Sequence, residues 1–411
     1  MRRLSILLAA AFLFLQSSAY AEDAGFELDL ESIPIEEVFS EEPWAETFEQ
    51  SADLQTSIAP NVKAAILVEA ETGSVIFKIN EHIKLAPASV TKIMTMLLIS
   101  EAIADGSIKL DDMVTTSTAA SRMGGSQIFL KENEQMTVSD LFKSIAVASA
   151  NDASVALAEH ISGSEGAFVA KMNSRAKELG MNDTNFANCT GLPGNADHLT
   201  SANDIAVMSR ALIALPTVHE FSTIWTDTVR NGEFGLSNTN KLIRFYNGAT
   251  GLKTGFTDAA KFCLSATAKR DGIEYIAVVL GAPTSDTRFE AAKTLLNHAF
   301  STYTLADVCA DTALAPIPVT LGKEKFVQPA VSGETKVLVE KSKLAGLKRS
   351  VTIAEAAAAP LEAGQELGTL TIADAEGNVI IKTPLVCADA VEKLGWWDLF
   401  KRYLELLFVG R

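Results

Sequence analysis

The sequence predicts an α/β protein: an antiparallel sheet flanked by helices, then a small mostly-β domain, then a C-terminal amphipathic helix. Three observations lead there. Apolar runs at residues 64–68 and 75–77, and again at 260–268 and 273–281, bracket a long stretch of helical periodicity. Strands at both ends of a domain with helices between them pair as one sheet closed by early and late strands and covered by the helices. After about residue 306 the texture changes to brief β-like runs such as Lys336-Val337-Leu338-Val339 and Val379-Ile380-Ile381, set between Gly turns. Beyond these, residues 393–411 combine aromatic and charged residues in a helical period.

The 411 residues suffice for two or three domains and a full enzyme core. Arg2 and Arg3, an apolar run over residues 4–15 and the triplet Ala19-Tyr20-Ala21 predict a secretory signal peptide over residues 1–21. The apolar run is short for a bilayer span. Residues 22–54 read as an acidic tether expected to be disordered. Twelve acidic residues and no Lys or Arg stand between Glu22 and Val62, and Pro34 and Pro43 interrupt any regular element. A docking peptide using Trp44 and Phe48 is the other reading of that segment. Much of the net charge of −16 therefore sits in the tether. The rest of the chain is mildly acidic and carries no basic stripe, so no nucleic-acid partner is expected.

The main domain is placed at residues 55–305. Its two early strands are joined by a turn at Thr72-Gly73. Val90, Ile93, Met94, Leu97 and Leu98 then follow at i, i+3, i+4, i+7 and i+8, a helical stripe. Further helices are predicted at 137–148, 152–162, 165–179 and 203–214, and one more around 287–300 after the late strands. The β domain spans 306–388 and the terminal helix 389–411. In the tail, Asp398, Lys401, Arg402 and Glu405 share one helix face. Trp396, Trp397, Leu399, Phe400, Tyr403, Leu404, Leu406, Leu407 and Phe408 cover most of the rest. Such a helix is expected to lie in the headgroup plane of a membrane. Four charges argue against a span, and packing on the β domain is the alternative.

Cys189, Cys263, Cys309 and Cys387 are the four cysteines, and export permits disulfides. Cys309 and Cys387, each in a Val-Cys-Ala-Asp context near the ends of the β domain, are a candidate pair. No C-x-x-C occurs, and His219-Glu220 does not continue as H-E-x-x-H. A zinc peptidase is disfavoured, and no metal or cofactor is expected.

Three short words carry chemistry: Ser89-Val90-Thr91-Lys92, Ser149-Ala150-Asn151 and Lys253-Thr254-Gly255. They spell the S-x-x-K, S-x-N and K-T-G set of active-serine acyl-transfer sites. Ser89 follows Pro87-Ala88 at a helix start, where backbone N–H groups are unpaired and the dipole favours negative charge. Lys92 lies one turn on, on the same face, and serves as a base if burial or a nearby cation lowers its pKa. Lys253 would be that cation if the fold brings it close. Ser174-Arg175-Ala176-Lys177 repeats the first word in mid-helix and reads as a solvated face.

Ser149-Ala150-Asn151-Asp152 recurs letter for letter as Ser201-Ala202-Asn203-Asp204, and both fit a helix N-cap. For Ser201 capping is the better reading. Ser149 stays open between a cap and a tight junction of two apolar helices that would push Ser and Asn into a cleft. Lys253-Thr254-Gly255 occurs once. It reads either as a plain strand turn or as an edge strand whose Gly255 permits close backbone approach to a substrate.

The chain resembles the low-molecular-mass penicillin-binding proteins, the serine-type D-alanyl-D-alanine carboxypeptidases. The likeness rests on Ala86 to Thr95, on Ala148 to Ala153 with Val155 to Glu159, on Ala176 to Met181, on Thr190-Gly191-Leu192-Pro193, on Gly251 to Thr257 and on Ala266 to Gly272. It runs from about residue 58 to the C-terminus. It implies a penicillin-binding-protein and serine β-lactamase-like transpeptidase fold. It implies Ser89 as the acylating serine, Lys92 as its base and Ser149 as the proton relay to the leaving amine. Asn151 would help hold Lys92 and the substrate amide. Lys253, Thr254 and Gly255 would bind the substrate, the first two at its terminal carboxylate, with Arg288 as an additional clamp. Backbone N–H groups of Ser89 and Phe256 would form the oxyanion hole.

The resemblance also implies partners: peptidoglycan pentapeptide stems as substrate, β-lactams as covalent inhibitors and a membrane surface for the tail. The expected location is the periplasmic face of the inner membrane. Cys189 stands where the family often has Pro, and Lys261 where Gly is common. A β-lactamase is disfavoured because no E-x-x-L-N lies between the second and third words. A DD-endopeptidase would use the same site, and a catalytically weak wall-binding scaffold is the non-enzymatic alternative.

Overall fold

The computed structural model describes Phe48 and residues 51–308, 314–333 and 335–408. The signal peptide, most of the tether and Cys309 lie outside the described residues, so the pairing of Cys309 with Cys387 falls outside them as well.

Strand Ala64–Glu69 is apolar on both faces and buried along its whole length, the mark of a central strand covered on two sides. It pairs antiparallel with Val75–Ile79 on one side and with Ile273–Ala282 on the other, from Ala64 opposite Leu280 to Glu69 opposite Tyr275. Two more antiparallel strands, Lys261–Arg270 and Ala249–Thr257, complete a five-stranded sheet in which Ala249–Thr257 is an edge. Early and late strands thus close one sheet, as the sequence predicts.

Side-chain alternation sends Ile66, Val68, Ile276, Val278 and Leu280 to one face, where they meet Ile93, Met94, Leu97 and the other central helices. Ala65, Leu67, Ala277 and Val279 point the other way. They pack on Leu54 and Ile58 of helix Ala52–Ile58 and on Phe289, Leu295 and Leu296 of helix Ser285–Thr302.

Helices Val138–Ala148, Asn151–Ser162, Glu165–Glu178 and Ala202–Ile213 lie where periodicity places them. Thr137, Ser164, Ser201 and Thr284 cap helix starts with side-chain oxygens. Such caps contribute about 1 kcal/mol each. Helix Lys92–Ala104 departs from the predicted stripe. It runs through the middle of the helical lobe and is buried nearly all round, and Leu98, assigned to the stripe, is among its more open positions. A central helix has no solvent side to set a moment against.

Two boundaries are corrected. Packed structure includes residues before 55: Ser51 caps helix Ala52–Ile58, whose Leu54 is buried. Phe48 donates its N–H to the Val75 carbonyl and sets its ring edge-on to Tyr303 at 5.0 Å, so it packs within the chain, against the early edge strand and the start of the β domain. The β domain begins with Tyr303–Asp307, paired with Lys336–Glu340, and continues past residue 388. Val391 is buried in its core, and the Leu394 N–H is bonded to the Leu321 carbonyl. Its four-stranded sheet runs in the order Pro329–Val331, Val379–Cys387, Glu366–Ala373, Lys348–Ile353.

The terminal helix is Trp396–Phe408. Its first turns expose Trp396 at 67 % and Trp397 at 66 %, with Leu399 and Phe400 also exposed. Packing on the β domain therefore does not cover them. Among the described residues no helix is long and apolar enough to cross a membrane.

Candidate active site

Pro87 ends an extended segment, and Ala88 takes a left-handed backbone at φ +50°, a conformation costly for a residue with a Cβ. From there the chain makes a 3-10 turn, Ala88–Thr91, and enters the helix at Lys92. Ser89 is half-buried at the turn, and Lys92 is fully buried beneath it. Lys92 Nζ lies 3.1 Å from Ser89 Oγ and donates to the Thr190 carbonyl at 2.7 Å. Burial lowers the Lys92 pKa to about 7, against the smaller opposing pull of Cys189 and Asp152. A nucleophile and an amine poised near neutrality are therefore in contact.

Ser149 settles the reading left open by sequence. It is not an N-cap. Its backbone is left-handed at φ 63°, ψ 31°, and its N–H bonds back to Ile145, so it stops the preceding helix, and Ala150 starts the next. Ser149 Oγ and Asn151 Oδ1 are buried, with no hydrogen-bond partner among the described residues. A strained backbone and an unpartnered polar atom are costs that a functional site carries. The Asn151 amide donates instead to the Gly124 carbonyl at 2.6 Å, and its N–H to Ser126 O. The contact with Lys92 that the resemblance implies for Asn151 is not formed; Thr190 O holds the lysine. Asn151 fixes the 124–126 loop and leaves its own carbonyl oxygen free to accept.

The third word lies on the edge strand Ala249–Thr257. A Cβ placed on Gly255 would sit 2.8 Å from Pro87 O and 3.1 Å from Ser89 N, so only glycine lets this strand lie against the nucleophile turn. The Thr254 hydroxyl donates to Thr239 Oγ1 at 2.7 Å, and the Thr239 N–H bonds the Val147 carbonyl, two residues before Ser149. The three words thus converge through named contacts. Lys253 is buried and donates to Thr254 O at 3.0 Å. Burial, then the charges of Lys92 and Arg288, hold its pKa well below the usual lysine range. Phe256, half exposed, follows on the same strand with its ring 4.4 Å from that of Phe262.

Arg288 is buried rather than a surface arginine. Its guanidinium donates to the carbonyls of Gly255 and Cys263, each at 3.2 Å, and to Ser285 Oγ. Burial lowers its pKa to about 10. It braces the strand that carries Gly255.

The decoys resolve as expected. Ser174 is exposed on its helix, and Ser201 caps helix Ala202–Ile213 by accepting from Asp204 N. The two departures also have a physical reading. Cys189 uses an N–H that proline lacks, donating to Glu165 Oε1 at 3.1 Å, and its carbonyl accepts from Thr95, which fixes the segment that supplies Thr190. Lys261 adopts φ +57°, a conformation that glycine takes without strain.

Sequence reasoning missed Thr190, Thr239 and the carboxylate of Asp152, which accepts from Ile128 N and Leu130 N. Carbonyl contacts and buried loop clamps leave no periodic trace. A cavity of about 380 Å³, lined by Pro87, Gly191, Leu192, His198 and Thr257, opens beside Ser89. The larger one, about 640 Å³, lies by Arg210 and Glu274 and contains none of these groups.

A serine hydroxyl on a buried, near-neutral lysine, with a second serine and a lysine-bearing edge strand closing over them, defines an active-serine hydrolase with a lysine base. A family profile described as D-alanyl-D-alanine carboxypeptidase matches residues 49–284, and one for the C-terminal domain of penicillin-binding protein 5 matches residues 300–393. The chain belongs to the D-alanyl-D-alanine carboxypeptidase family. It is 42 % identical to the carboxypeptidase DacF of Bacillus subtilis, covering 86 % of this chain and 92 % of that one. Among solved structures it is similar to penicillin-binding protein 5 of Haemophilus influenzae, with a TM-score of 0.73 and 29 % identity over 81 % of this chain and 98 % of that one. It is also similar to penicillin-binding protein D2 of Listeria monocytogenes in its ampicillin-bound form, with a TM-score of 0.54 and 31 % identity over 58 % of this chain and 97 % of that one.

Proposed function

We propose that the chain cleaves the terminal D-Ala-D-Ala bond of peptidoglycan pentapeptide stems through an acyl-enzyme on Ser89 and releases D-alanine. One observation carries the choice of a substrate that ends in a carboxylate. Lys253 is buried, and the charges that act on it from nearby, those of Lys92 and Arg288, are both cationic. A free carboxylate on the substrate would supply the missing counter-charge and draw a proton onto Lys253.

Ser89 Oγ attacks the penultimate carbonyl and passes its proton to Lys92 Nζ. The N–H groups of Ser89 and Phe256 receive the developing oxyanion, an effect of roughly 10²–10³ in rate. Ser149 Oγ, buried without a hydrogen-bond partner among the described residues, conveys a proton to the departing D-alanine amine. Water then hydrolyses the ester. A β-lactam enters by the same first step, its ring amide in place of the peptide bond, and stays bound as an acyl adduct.

Release of D-alanine from a disaccharide pentapeptide tests the reading. Lys253→Ala should lower kcat/KM on that peptide by about 2–5 kcal/mol, a loss of roughly 30- to 5,000-fold. Unchanged kcat/KM in the variant would remove Lys253 from carboxylate binding, and no D-alanine release by the wild type would overturn the function.

The exposed aromatic turn of helix Trp396–Phe408, with Lys401 and Arg402 beside it, supports attachment to a membrane surface. The secretory signal expected at residues 1–21 supports a surface on the outer side of the cytoplasmic membrane. Because residue 394 still belongs to the β domain, a chain ending at Leu394 removes the helix without opening the sheet. It is expected in the soluble periplasmic fraction with activity intact. If it pellets with membranes, the anchor lies elsewhere.

A further inference from the structure

His198 lies outside the three words, yet its ring reaches the base of the nucleophile turn. It is buried, with Nε2 2.7 Å from Thr91 Oγ1 and Nδ1 accepting the Ala187 N–H at 3.0 Å. The Thr91 hydroxyl lies 2.8 Å from the Ala88 carbonyl and donates to it. These contacts have a fixed direction. A backbone N–H can only donate, so Nδ1 holds a lone pair and the proton of the neutral ring sits on Nε2. Nε2–H therefore donates to Thr91 Oγ1, and the Thr91 proton goes to Ala88 O. Burial pulls the His198 pKa down to about 4, so the ring is neutral wherever Lys92 works as a base.

The last acceptor in this relay is the peptide carbonyl that enters Ser89. Ala88 is held at φ +50°, which the chain abandons unless its surroundings fix it. Two things fix it. The backbone of Gly191 lies so close that a Cβ there would meet Ala88 O at 1.8 Å, and Thr91 grips the same oxygen from within the turn. Gly191 follows Thr190, whose carbonyl holds Lys92. The Ala88 carbonyl thus lies between the segment that holds the base and the turn that presents the nucleophile.

We infer that His198 is a positioning residue for acylation: through Thr91 it locks the strained Ala88 peptide and so sets the Ser89 hydroxyl and its N–H in register with Lys92 and the edge strand. His198 touches neither substrate nor reacting atoms in this role. Its loss would misplace the nucleophile by a fraction of an ångström, which slows the chemical step more than it weakens binding.

The test separates donor from filler. His198→Asn keeps an acceptor for the Ala187 N–H but is too short to reach Thr91. His198→Gln places an amide N–H at about the reach of Nε2. The readout is stopped-flow acylation by a reporter penicillin, resolved into the initial dissociation constant and the acylation rate constant. His198→Asn should lower the acylation rate constant about 10- to 100-fold with the dissociation constant unchanged. His198→Gln should restore most of it. Thr91→Val should match His198→Asn, and the double variant should be no worse than either alone, because both break one chain.

Wild-type acylation in His198→Asn overturns the inference. So does equal impairment of the Asn and Gln variants, which would reduce the ring to a packing unit against Phe186, whose ring lies edge-on to it at 5.9 Å, or a loss carried in the dissociation constant. If His198→Asn does not fold, Thr91→Val decides alone, and an unchanged rate constant in that variant overturns the inference.

Discussion

Ser89→Ala is expected to abolish turnover, with kcat on the D-Ala-D-Ala peptide falling by a factor on the order of 10⁶. Intact-mass analysis after penicillin should show one adduct on the wild-type chain and none on the variant. The geometry makes the assignment exclusive of the decoys. Ser89 alone among the repeated words has a buried lysine on its hydroxyl, at 3.1 Å. Ser174 faces solvent, and Ser201 spends its hydroxyl capping a helix. An adduct that persists in Ser89→Ala, or maps to Ser174 or Ser201, would sink the assignment.

Lys92 gives the second large effect and the pH dependence. With the neutral amine as the base proposed for Ser89, activity is expected to rise with pH as Lys92 loses its proton. Burial lowers that pKa from the usual 10.5 to about 7. The ascending limb of kcat/KM, which reports the free enzyme, should therefore fall near pH 7, well below that of an ordinary lysine. Below the limb the ammonium keeps its proton and Ser89 goes unactivated. Lys92→Ala should lose both the limb and a rate factor on the order of 10⁴–10⁶. Its helix start should survive, since the neighbouring contacts of Thr91 and Thr95 do not use the amine. A wild-type profile flat from pH 5 to 9 would contradict the role of base.

Much of this was legible because it is local. The early and late strands follow from apolar runs between turn signals, and the helices from period and caps. The S-x-x-K spacing is itself a statement of geometry, since three residues make one turn. Less legible were contacts made by backbone atoms. Thr190 O on Lys92, and Gly191 against Ala88 O, involve residues whose letters reveal nothing about what their carbonyls or missing Cβ will meet. Arg288 shows the converse. The family resemblance singled the residue out, but its bonds to two strand carbonyls could be known only once the sheet had brought Gly255 and Cys263 over it.

The repeated tetrapeptide Ser-Ala-Asn-Asp divides the two sources of information most sharply. By itself the sequence determined that each copy stands at a helix boundary, because Ser and Asn compete for backbone groups there and an apolar helical run follows. It favoured a cap for Ser201 and left Ser149 open between a cap and a helix junction. Ser201, preceded by Thr200 in an extended bridge to Leu85, takes φ −119°, ψ 167° and caps the helix ahead of it. Ser149, reached by a helix that runs unbroken to Ala148, must turn left-handed to end it, and Asn151 is then pinned to Gly124 and Ser126. The same four letters yield a structural cap in one place and, in the other, a hydroxyl with no partner among the described residues. What comes before them and packs over them differs, and backbone wells only about 1–3 kcal/mol apart are selected by tertiary contacts rather than by the residues that occupy them.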